Sequence, residues 1–473
     1  METMNAEMDG FLNSAESKEY FELIRFASVS AEKTHLRDSV ACATWLKKWL
    51  AGIGAEAELV LPPTDGASLP VPVVVGERPG AVGGATVLFY AHYDVQPAAA
   101  ADGWSSPPFE PTVREGRVYA RGAQDDKGQA FAFLCGLRDL VNDPAAAARL
   151  PTVRFVFDGE EESGSLGLLR LLERREFRSR LAADTLLVCD TSAAADLRPA
   201  VVAGMRGVAS ATVTLTAANR ELHSGEYGGV APNAAQGMAA LVASLHHPDG
   251  SIAVAGFRDG IEPPSHEELE LAEAGMTTKD AVGRPVAIEQ ALAADIGCEP
   301  AGGQVGKTVV QRLSFEPTIE VNGIHSGYGG EGGKTVIPDR ALAKLSLRLV
   351  PGQSPRGAMA ALVAHLKANC PRGMKVEVSE ANCHAGGFRL PLTTPIFRLA
   401  EAILGEMDAR GAVFQWDGAS LPVVAALQAA SGAAPLIVGW GQPEDRIHSP
   451  DESYSPRQFA KAREWARRIL SAL

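Results

Sequence analysis

The sequence predicts an α/β protein with a mixed, largely parallel sheet covered by helices, together with a second, α+β domain. Three short runs at residues 86–90, 153–157 and 185–188 are rich in β-branched or aromatic residues and are separated by helix-like sequence, as buried strands are. Such alternation favours a parallel sheet. Residues 208–216 and 341–350 instead alternate with the period of two typical of half-exposed strands.

The remaining elements follow from the same periodicities. Residues 39–50 place apolar side chains at spacings of three and four, which predicts an amphipathic helix. Between the two alternating strands, residues 234–245 read as a helix and residues 265–273 as a charged stretch. After about residue 387 the sequence again alternates between predicted strands and helices, with a strand at 435–439 and a helix at 456–470.

Composition excludes several classes of function. The chain has 473 residues, 46% of them hydrophobic and 21% charged, which is typical of a globular protein of two or three domains. Its net charge of -13 disfavours nucleic acid and anionic membranes as partners. No secretory signal pattern and no apolar run of about 18 residues is present, so a cytoplasmic location is expected. The six cysteines include no CxxC pair and are predicted to be reduced and mostly buried.

Chemically active residues follow each of the three early strands. His92 and Asp94 follow the first, the acidic run 160–162 follows the second, and Asp190 follows the third. A further acidic pair at residues 125–126 lies among glycine-permitted turns. In open α/β sheets, functional groups gather just beyond the carboxyl ends of the strands. We therefore expect these side chains to meet in one region.

A cluster of this composition predicts a site for divalent cations. Carboxylates that crowd together raise one another's pKa and destabilise the fold unless cations lie among them. Histidine with aspartate and glutamate oxygens suits zinc, and equally manganese or cobalt.

Two other motifs do not predict a site. The Gly-rich run that ends at Thr335 is not a phosphate loop, because Tyr328 stands where that loop requires a glycine. Ser224 is not a predicted nucleophile, because it is not in a GxSxG elbow.

Taken in order, these motifs resemble the M20 metallopeptidase family, in particular its cytosolic nonspecific dipeptidase and carnosine dipeptidase branch. The match extends over nearly the whole chain. The segments that carry it are AHYDVQP, GWSSPPFEP, YARGAQDDKG, FDGEEESGS, VCD, ELHSG, KTVIPDRALAKLSLRLVP, DGASLP and the final His448.

The resemblance implies a pair of divalent ions, zinc or manganese with cobalt as a further candidate. One ion would be held by His92 and Asp190, the other by Glu162 and His448, and Asp125 would bridge the two. It also implies a cis peptide bond between Asp125 and the residue that follows it.

The same resemblance assigns the catalytic groups. Asp94 orients the His92 imidazole. Glu161 is the general base and takes a proton from a water that the cations activate. The family pattern has a non-acidic residue where Glu160 stands, so a register one residue earlier competes with this assignment. Alignment on Ser163 selects Glu161 as base and the next residue as ligand.

The second domain resembles the family's lid and dimerisation domain. It implies that His223 stabilises the oxyanion from the partner subunit of a homodimer and that Thr335 contacts substrate. Arg348 would bind the substrate's free carboxylate with its bidentate guanidinium, helped by a hydrogen bond from Ser420. His384 resembles a family histidine whose role is open.

The resemblance thus predicts a catalytic domain formed by residues 1–206 and 386–473, with the lid domain inserted at 207–385. The expected activity is hydrolysis of the peptide bond in dipeptides or very short peptides with a free C-terminal carboxylate. A deacylase of N-acyl amino acids, using the same metal chemistry, is the alternative enzyme. A catalytically silent peptide-binding or structural homologue is the alternative from another class, and the intact Glu161 speaks against it.

Overall fold

The computed structural model describes residue 8 and residues 10–63, 70–194, 196–276, 278–279, 285–418 and 421–473. In chain order the strands are β1 (Glu56–Val60), β2 (Val73–Arg78), β3 (Thr86–His92), β4 (Thr112–Arg114), β5 (Arg117–Tyr119), β6 (Thr152–Asp158), β7 (Thr185–Val188), β8 (Ala200–Met205), β9 (Gly207–Thr216), β10 (Leu222–His223), β11 (Thr278–Lys279), β12 (Pro285–Val286), β13 (Thr318–Ser326), β14 (Val336–Ile337), β15 (Arg340–Leu349), β16 (Lys375–Ala385), β17 (Phe388–Arg389), β18 (Val413–Asp417), β19 (Ala434–Ile437) and β20 (Ser453–Tyr454).

The α-helices follow the same order. They are α1 (Ala15–Ile24), α2 (Leu36–Gly52), α3 (Lys127–Asn142), α4 (Pro144–Ala147), α5 (Leu166–Leu172), α6 (Arg175–Ser179), α7 (Ser224–Tyr227), α8 (Ala234–Ala243), α9 (His266–Gly275), α10 (Ile288–Ile296), α11 (Val309–Ser314), α12 (Pro355–Ala368), α13 (Pro395–Met407), α14 (Pro422–Ser431) and α15 (Pro456–Ala472). Within the described residues no helix is long and apolar enough to cross a membrane.

The larger sheet has nine strands in the described part of the chain and confirms the predicted α/β class. Its path runs β1-β2-β6-β3-β7-β19-β8-β17, and β18 pairs with β8. The central neighbours β6, β3, β7 and β19 are mutually parallel, whereas β1, β2 and β17 join antiparallel. Helices bury apolar side chains on both faces, for example Phe131 and Trp465 on one and Leu168 and Leu427 on the other.

The C-terminal helix α15 illustrates how the sequence forms these layers. Its start is fixed by Ser455, whose hydroxyl accepts a hydrogen bond from the Gln458 amide at 3.2 Å. Phe459, Trp465 and Ile469 lie on one face of the helix and are fully or almost fully buried. This face packs on α3 and so holds that helix against the sheet.

A smaller antiparallel sheet, ordered β13-β15-β9-β16, has its own hydrophobic core. Helices α8 and α12 cover one face of it. Two other helices in the predicted lid range, α9 and α11, pack instead against β18 of the larger sheet. The domain boundaries at residues 206 and 386 stay a prediction.

The prediction that most cysteines are buried is confirmed for three of the six. Cys42, Cys135 and Cys189 are buried free thiols, but Cys298 is exposed.

Candidate metal centre

The carboxyl ends of three neighbouring strands deliver the first group of acidic and imidazole side chains. Because β3 lies between β6 and β7 and is parallel to both, the three ends meet at one edge of the sheet. His92 is the last residue of β3, which continues two residues beyond the predicted strand to pair with Asp158 of β6. A 3-10 turn, Glu161–Ser163, follows β6, and Asp190 lies two residues beyond β7.

The loop that carries Asp125 is shaped by two glycines. Gly122 has φ of 80°, a conformation that side chains rarely adopt. A Cβ atom on Gly128 would lie 1.9 Å from the carbonyl oxygen of Ala123, so only glycine fits there. The peptide bond between Asp125 and Asp126 is cis. Helix α3 begins directly after this bond.

Asp125 takes part in two clusters of potential ligand atoms. In the first, His92 Nε2 lies 3.0 Å from Asp125 Oδ1 and 3.7 Å from Asp190 Oδ2. In the second, His448 Nε2 lies 2.9 Å from Asp125 Oδ2 and 3.2 Å from Glu162 Oε2. Within each cluster the ligand atoms lie within 4.8 Å of one another. The two oxygens of one carboxylate therefore face two separate groups.

Asp94 is fully buried beneath these clusters. Its Oδ1 lies 3.4 Å from His92 Nδ1, and its backbone carbonyl oxygen lies 3.1 Å from the same nitrogen. The carboxylate also accepts hydrogen bonds from the amides of Glu161 and Glu162, at 3.1 and 3.0 Å. Asp94 thus fixes both the His92 ring and the 3-10 turn.

The three consecutive glutamates point to different partners. Glu160 Oε2 accepts a hydrogen bond of 2.7 Å from the Gly167 amide, in the first turn of α5. Glu162 Oε2 accepts one of 2.6 Å from Gln96 and faces His448. Glu161, between them, belongs to neither ligand cluster.

The electrostatics of the centre reflect this crowding. Burial raises the pKa of Glu161 to about 9 and the pKa of Asp190 to about 7, with neighbouring carboxylates adding to both shifts. Hydrogen bonds to Asp125 and Glu162 raise the pKa of His448 to about 10. The centre therefore carries protons that a cation would displace. Its nitrogen and oxygen donors match those that zinc and manganese bind, so the residues present fit a divalent metal.

Two of the predicted substrate-binding residues lie beside a separate two-stranded sheet, β10-β14. His223 and Thr335 are exposed neighbours across the β10–β14 pair, with His223 Nε2 3.5 Å from Thr335 Oγ1. His223 Nδ1 accepts a hydrogen bond of 3.0 Å from the Gly225 amide. Among the described residues neither makes a hydrogen bond or ion pair to the two ligand clusters.

Arg348 lies on β15, opposite Val208 of β9 and Thr318 of β13. Its charge contributes to a lowered pKa of Arg206, which falls to about 10 mainly because Arg206 is buried. Arg206 donates a hydrogen bond of 3.0 Å to the carbonyl oxygen of Gly418. Ser420 lies outside the described residues, as does the side chain of His384 on β16.

The sequence analysis did not single out two polar residues that contact the centre, Gln96 and Glu452, nor Arg206, which lies near Arg348. Gln96 lies within the AHYDVQP segment, and Glu452 follows His448 by four residues. Their closeness in sequence to predicted ligands could have indicated that they lie near the centre. Arg206 has no such signal, because its partner Gly418 is 212 residues away along the chain.

Comparison with known proteins gives three findings. Residues 88–472 match the family model described as Peptidase family M20/M25/M40. The chain is 27% identical over 452 residues to the Cys-Gly metallodipeptidase dug1 of Schizosaccharomyces pombe, an alignment that covers 93% of this chain and 91% of that protein. It is 30% identical over 308 residues to the human Beta-Ala-His dipeptidase, covering 64% of this chain and 58% of that protein.

The fold also matches a solved structure. The M20 family metallo-carboxypeptidase Sso-CP2 from Sulfolobus solfataricus superposes with a TM-score of 0.81 at 24% sequence identity. The match covers 97% of this chain and 99% of that one.

Proposed function

Because the chain belongs to peptidase family M20/M25/M40, we propose that it hydrolyses the peptide bond of dipeptides or very short peptides with a free C-terminal carboxylate. It is a peptidase of this family, and two relatives are named for the dipeptides Cys-Gly and beta-Ala-His. The proposal rests most directly on the position of Asp125 between two histidines. Its Oδ1 lies 3.0 Å from His92 Nε2, and its Oδ2 lies 2.9 Å from His448 Nε2.

We propose that the centre binds two divalent ions, zinc or manganese with cobalt as a further candidate. His92 and Asp190 would hold one ion, Glu162 and His448 the other, and Asp125 both. The donor types, and the two groups of ligand atoms that have only Asp125 in common, support this division. Two bound ions would lower the pKa of a shared water and polarise the peptide carbonyl.

Glu161 is the proposed general base. Its turn is held by Asp94, yet it is outside both ligand clusters, so its carboxylate is left for proton transfer. A carboxylate oxygen of Glu161 takes a proton from the attacking water and passes it to the departing amino group. The hydrogen bond from Gly167 to Glu160 supports this register, because it engages the competing carboxylate elsewhere.

The carboxylate end of the substrate is proposed to bind Arg348 and Ser420, while His223 stabilises the oxyanion and Thr335 contacts substrate. A guanidinium matches a carboxylate by two parallel hydrogen bonds. The nearby Arg206, which holds the carbonyl of Gly418, supports a positively charged pocket here.

We propose a cytoplasmic homodimer formed through residues 207–385, in which His223 reaches the centre of the partner subunit. Within the described part of one chain, no hydrogen bond or ion pair joins His223 to the ligand clusters, which supports this arrangement. Strand β13, at the outer edge of the smaller sheet, exposes Val321 and Ile324 at 41% and 47%. Exposed apolar side chains on a sheet edge are typical of an interface.

A substrate panel with controlled metal tests the proposal. Dipeptides should be hydrolysed, a chelator should abolish the activity, and added Mn²⁺ or Zn²⁺ should restore it. Faster hydrolysis of N-acyl amino acids than of dipeptides would favour the deacylase. Activity that survives exhaustive metal removal would contradict the mechanism, and absence of any hydrolysis by the metal-loaded protein would favour the silent homologue.

A further inference from the structure

Glu452 is a fully buried carboxylate behind the centre. Its two oxygens accept four hydrogen bonds, and three of the donors are backbone amides of the loop that ends at Asp125. Oε1 accepts from the amides of Gln124 at 2.9 Å and Asp125 at 3.1 Å, and Oε2 accepts from the Gly122 amide at 3.0 Å and Arg121 Nη1 at 2.7 Å.

This set of donors suits an ionised carboxylate. Two hydrogen bonds at each oxygen, one of them from a guanidinium, supply the charge-assisted contacts that a buried anion requires. Arg121 is itself almost completely buried, and its guanidinium lies 5.3 Å from the centre of the Trp104 ring. The carboxylate and its counter-cation therefore form a preorganised unit rather than a surface ion pair.

Glu452 joins two segments that are far apart along the chain. Its side chain bonds the Asp125 amide across 327 residues, and its backbone carbonyl accepts a hydrogen bond of 3.1 Å from the Ala120 amide. Directly after it, β20 pairs with β5, which precedes the same loop. The segment that carries His448 is thus attached to the segment that carries Asp125.

The His448 segment needs such an attachment. His448 has φ of 59°, and Arg446 and Asp451 have φ of 56° and 61°. Residues other than glycine adopt this left-handed conformation infrequently, so contacts outside the segment have to maintain it.

We propose that Glu452 is a positioning residue that fixes the shared ligand Asp125 and the ligand His448 relative to each other, so that both ions can bind. The inference rests on the proposed function, because it concerns the same two ions. Glu452 acts through the amides of residues 122–125 and through its own place in the chain, four residues after His448.

Substitution Glu452→Gln tests this role with little change in volume. The amide nitrogen of glutamine cannot accept a hydrogen bond. In either orientation it would face two donors, Gln124 and Asp125 or Gly122 and Arg121, so two of the four hydrogen bonds are lost. The loop should then sample positions in which Asp125 no longer faces both clusters.

Asp445→Asn is the matched control. Asp445 is also fully buried, pairs with Arg117, and accepts a hydrogen bond of 2.6 Å from the Gln442 amide. It lies three residues before His448, yet in the described structure its side chain makes no hydrogen bond to the 122–125 loop. A loss of general stability should therefore affect both variants, whereas a loss of metal-site positioning should affect Glu452→Gln alone.

The experiment measures the stoichiometry and affinity of Mn²⁺ binding to the metal-free proteins by competition with a chromophoric chelator. Thermal unfolding of each metal-free variant is measured in parallel. We expect Glu452→Gln to bind at least one of the two ions about 10- to 100-fold more weakly than wild type, as loss of supporting contacts around ligands does. Asp445→Asn should keep wild-type affinity.

Each outcome decides one question. Wild-type affinity in Glu452→Gln, or an equal loss in both variants, overturns the positioning role while leaving the proposed function intact. Failure of the wild-type protein to bind two ions contradicts the proposed function itself. If Glu452→Gln does not fold, Arg121→Gln replaces it: faster hydrogen exchange at residues 122–125 with weaker Mn²⁺ binding supports the role, and no change in either overturns it.

Discussion

Replacement of Glu161 by glutamine tests the proposed base with minimal disturbance. The turn that carries Glu161 is fixed through its main chain, because Asp94 accepts the amide hydrogen bonds of residues 161 and 162. Glutamine has the same shape as glutamate but cannot take up the proton. Since Glu161 belongs to neither ligand cluster, we expect both ions to bind as in the wild-type protein.

The expected loss follows from the chemistry of the site. Removal of a general base lowers kcat by about 10²- to 10⁴-fold. At about 1.36 kcal/mol per tenfold change, this raises the activation free energy by about 2.7 to 5.4 kcal/mol. Burial raises the pKa of Glu161 to about 9 in the metal-free protein, and two bound cations would lower it again, which leaves the carboxylate ionised and able to take a proton. We therefore expect a loss of kcat within this range.

The neighbouring Glu160→Gln variant is the control. The amide oxygen of glutamine can still accept the hydrogen bond from the Gly167 amide, so both the fold and kcat should be retained. The assay is steady-state hydrolysis of a dipeptide, with metal content measured on the same samples. An inactive Glu160→Gln protein beside an active Glu161→Gln protein would refute the assignment of the base.

Two further predictions concern the substrate and the protons of the centre. Arg348→Ala should raise KM for free dipeptides far more than for their C-terminally amidated forms, and equal effects on both would remove its proposed partner. Metal binding should release protons at pH 7, because the pKa of His448 is raised to about 10 and that of Asp190 to about 7 in the metal-free protein. Because the cations displace these protons, a lower proton concentration favours binding, so metal affinity should rise from pH 6 to pH 8. Calorimetry in buffers of different ionisation enthalpy measures the released protons, and an affinity independent of pH would refute this linkage.

Much of the fold could be predicted because the central strands are short, apolar and continuous. The family and the α/β class are confirmed, and β3, β6 and β7 occupy almost the predicted residues. The three strands are neighbours in the sheet, so the side chains that follow them meet, as the rule for strand ends predicts.

Other features depend on contacts that no local pattern encodes. Three adjacent glutamates have equal chemistry, and only the path of the chain after β6 determines that Glu160 turns to the Gly167 amide. The attachment of Glu452 to the Asp125 loop joins residues 327 positions apart. Helix periodicity likewise does not tell which sheet α9 and α11 cover, because an apolar face fits either core.

The most direct test of the central claim is a crystal structure of the Mn²⁺-loaded or Zn²⁺-loaded protein with anomalous diffraction data. We predict two ions about 3.5 to 4 Å apart, one beside His92 and Asp190 and the other beside Glu162 and His448, with Asp125 coordinating both. A single ion, or two ions that do not share Asp125, would contradict the account.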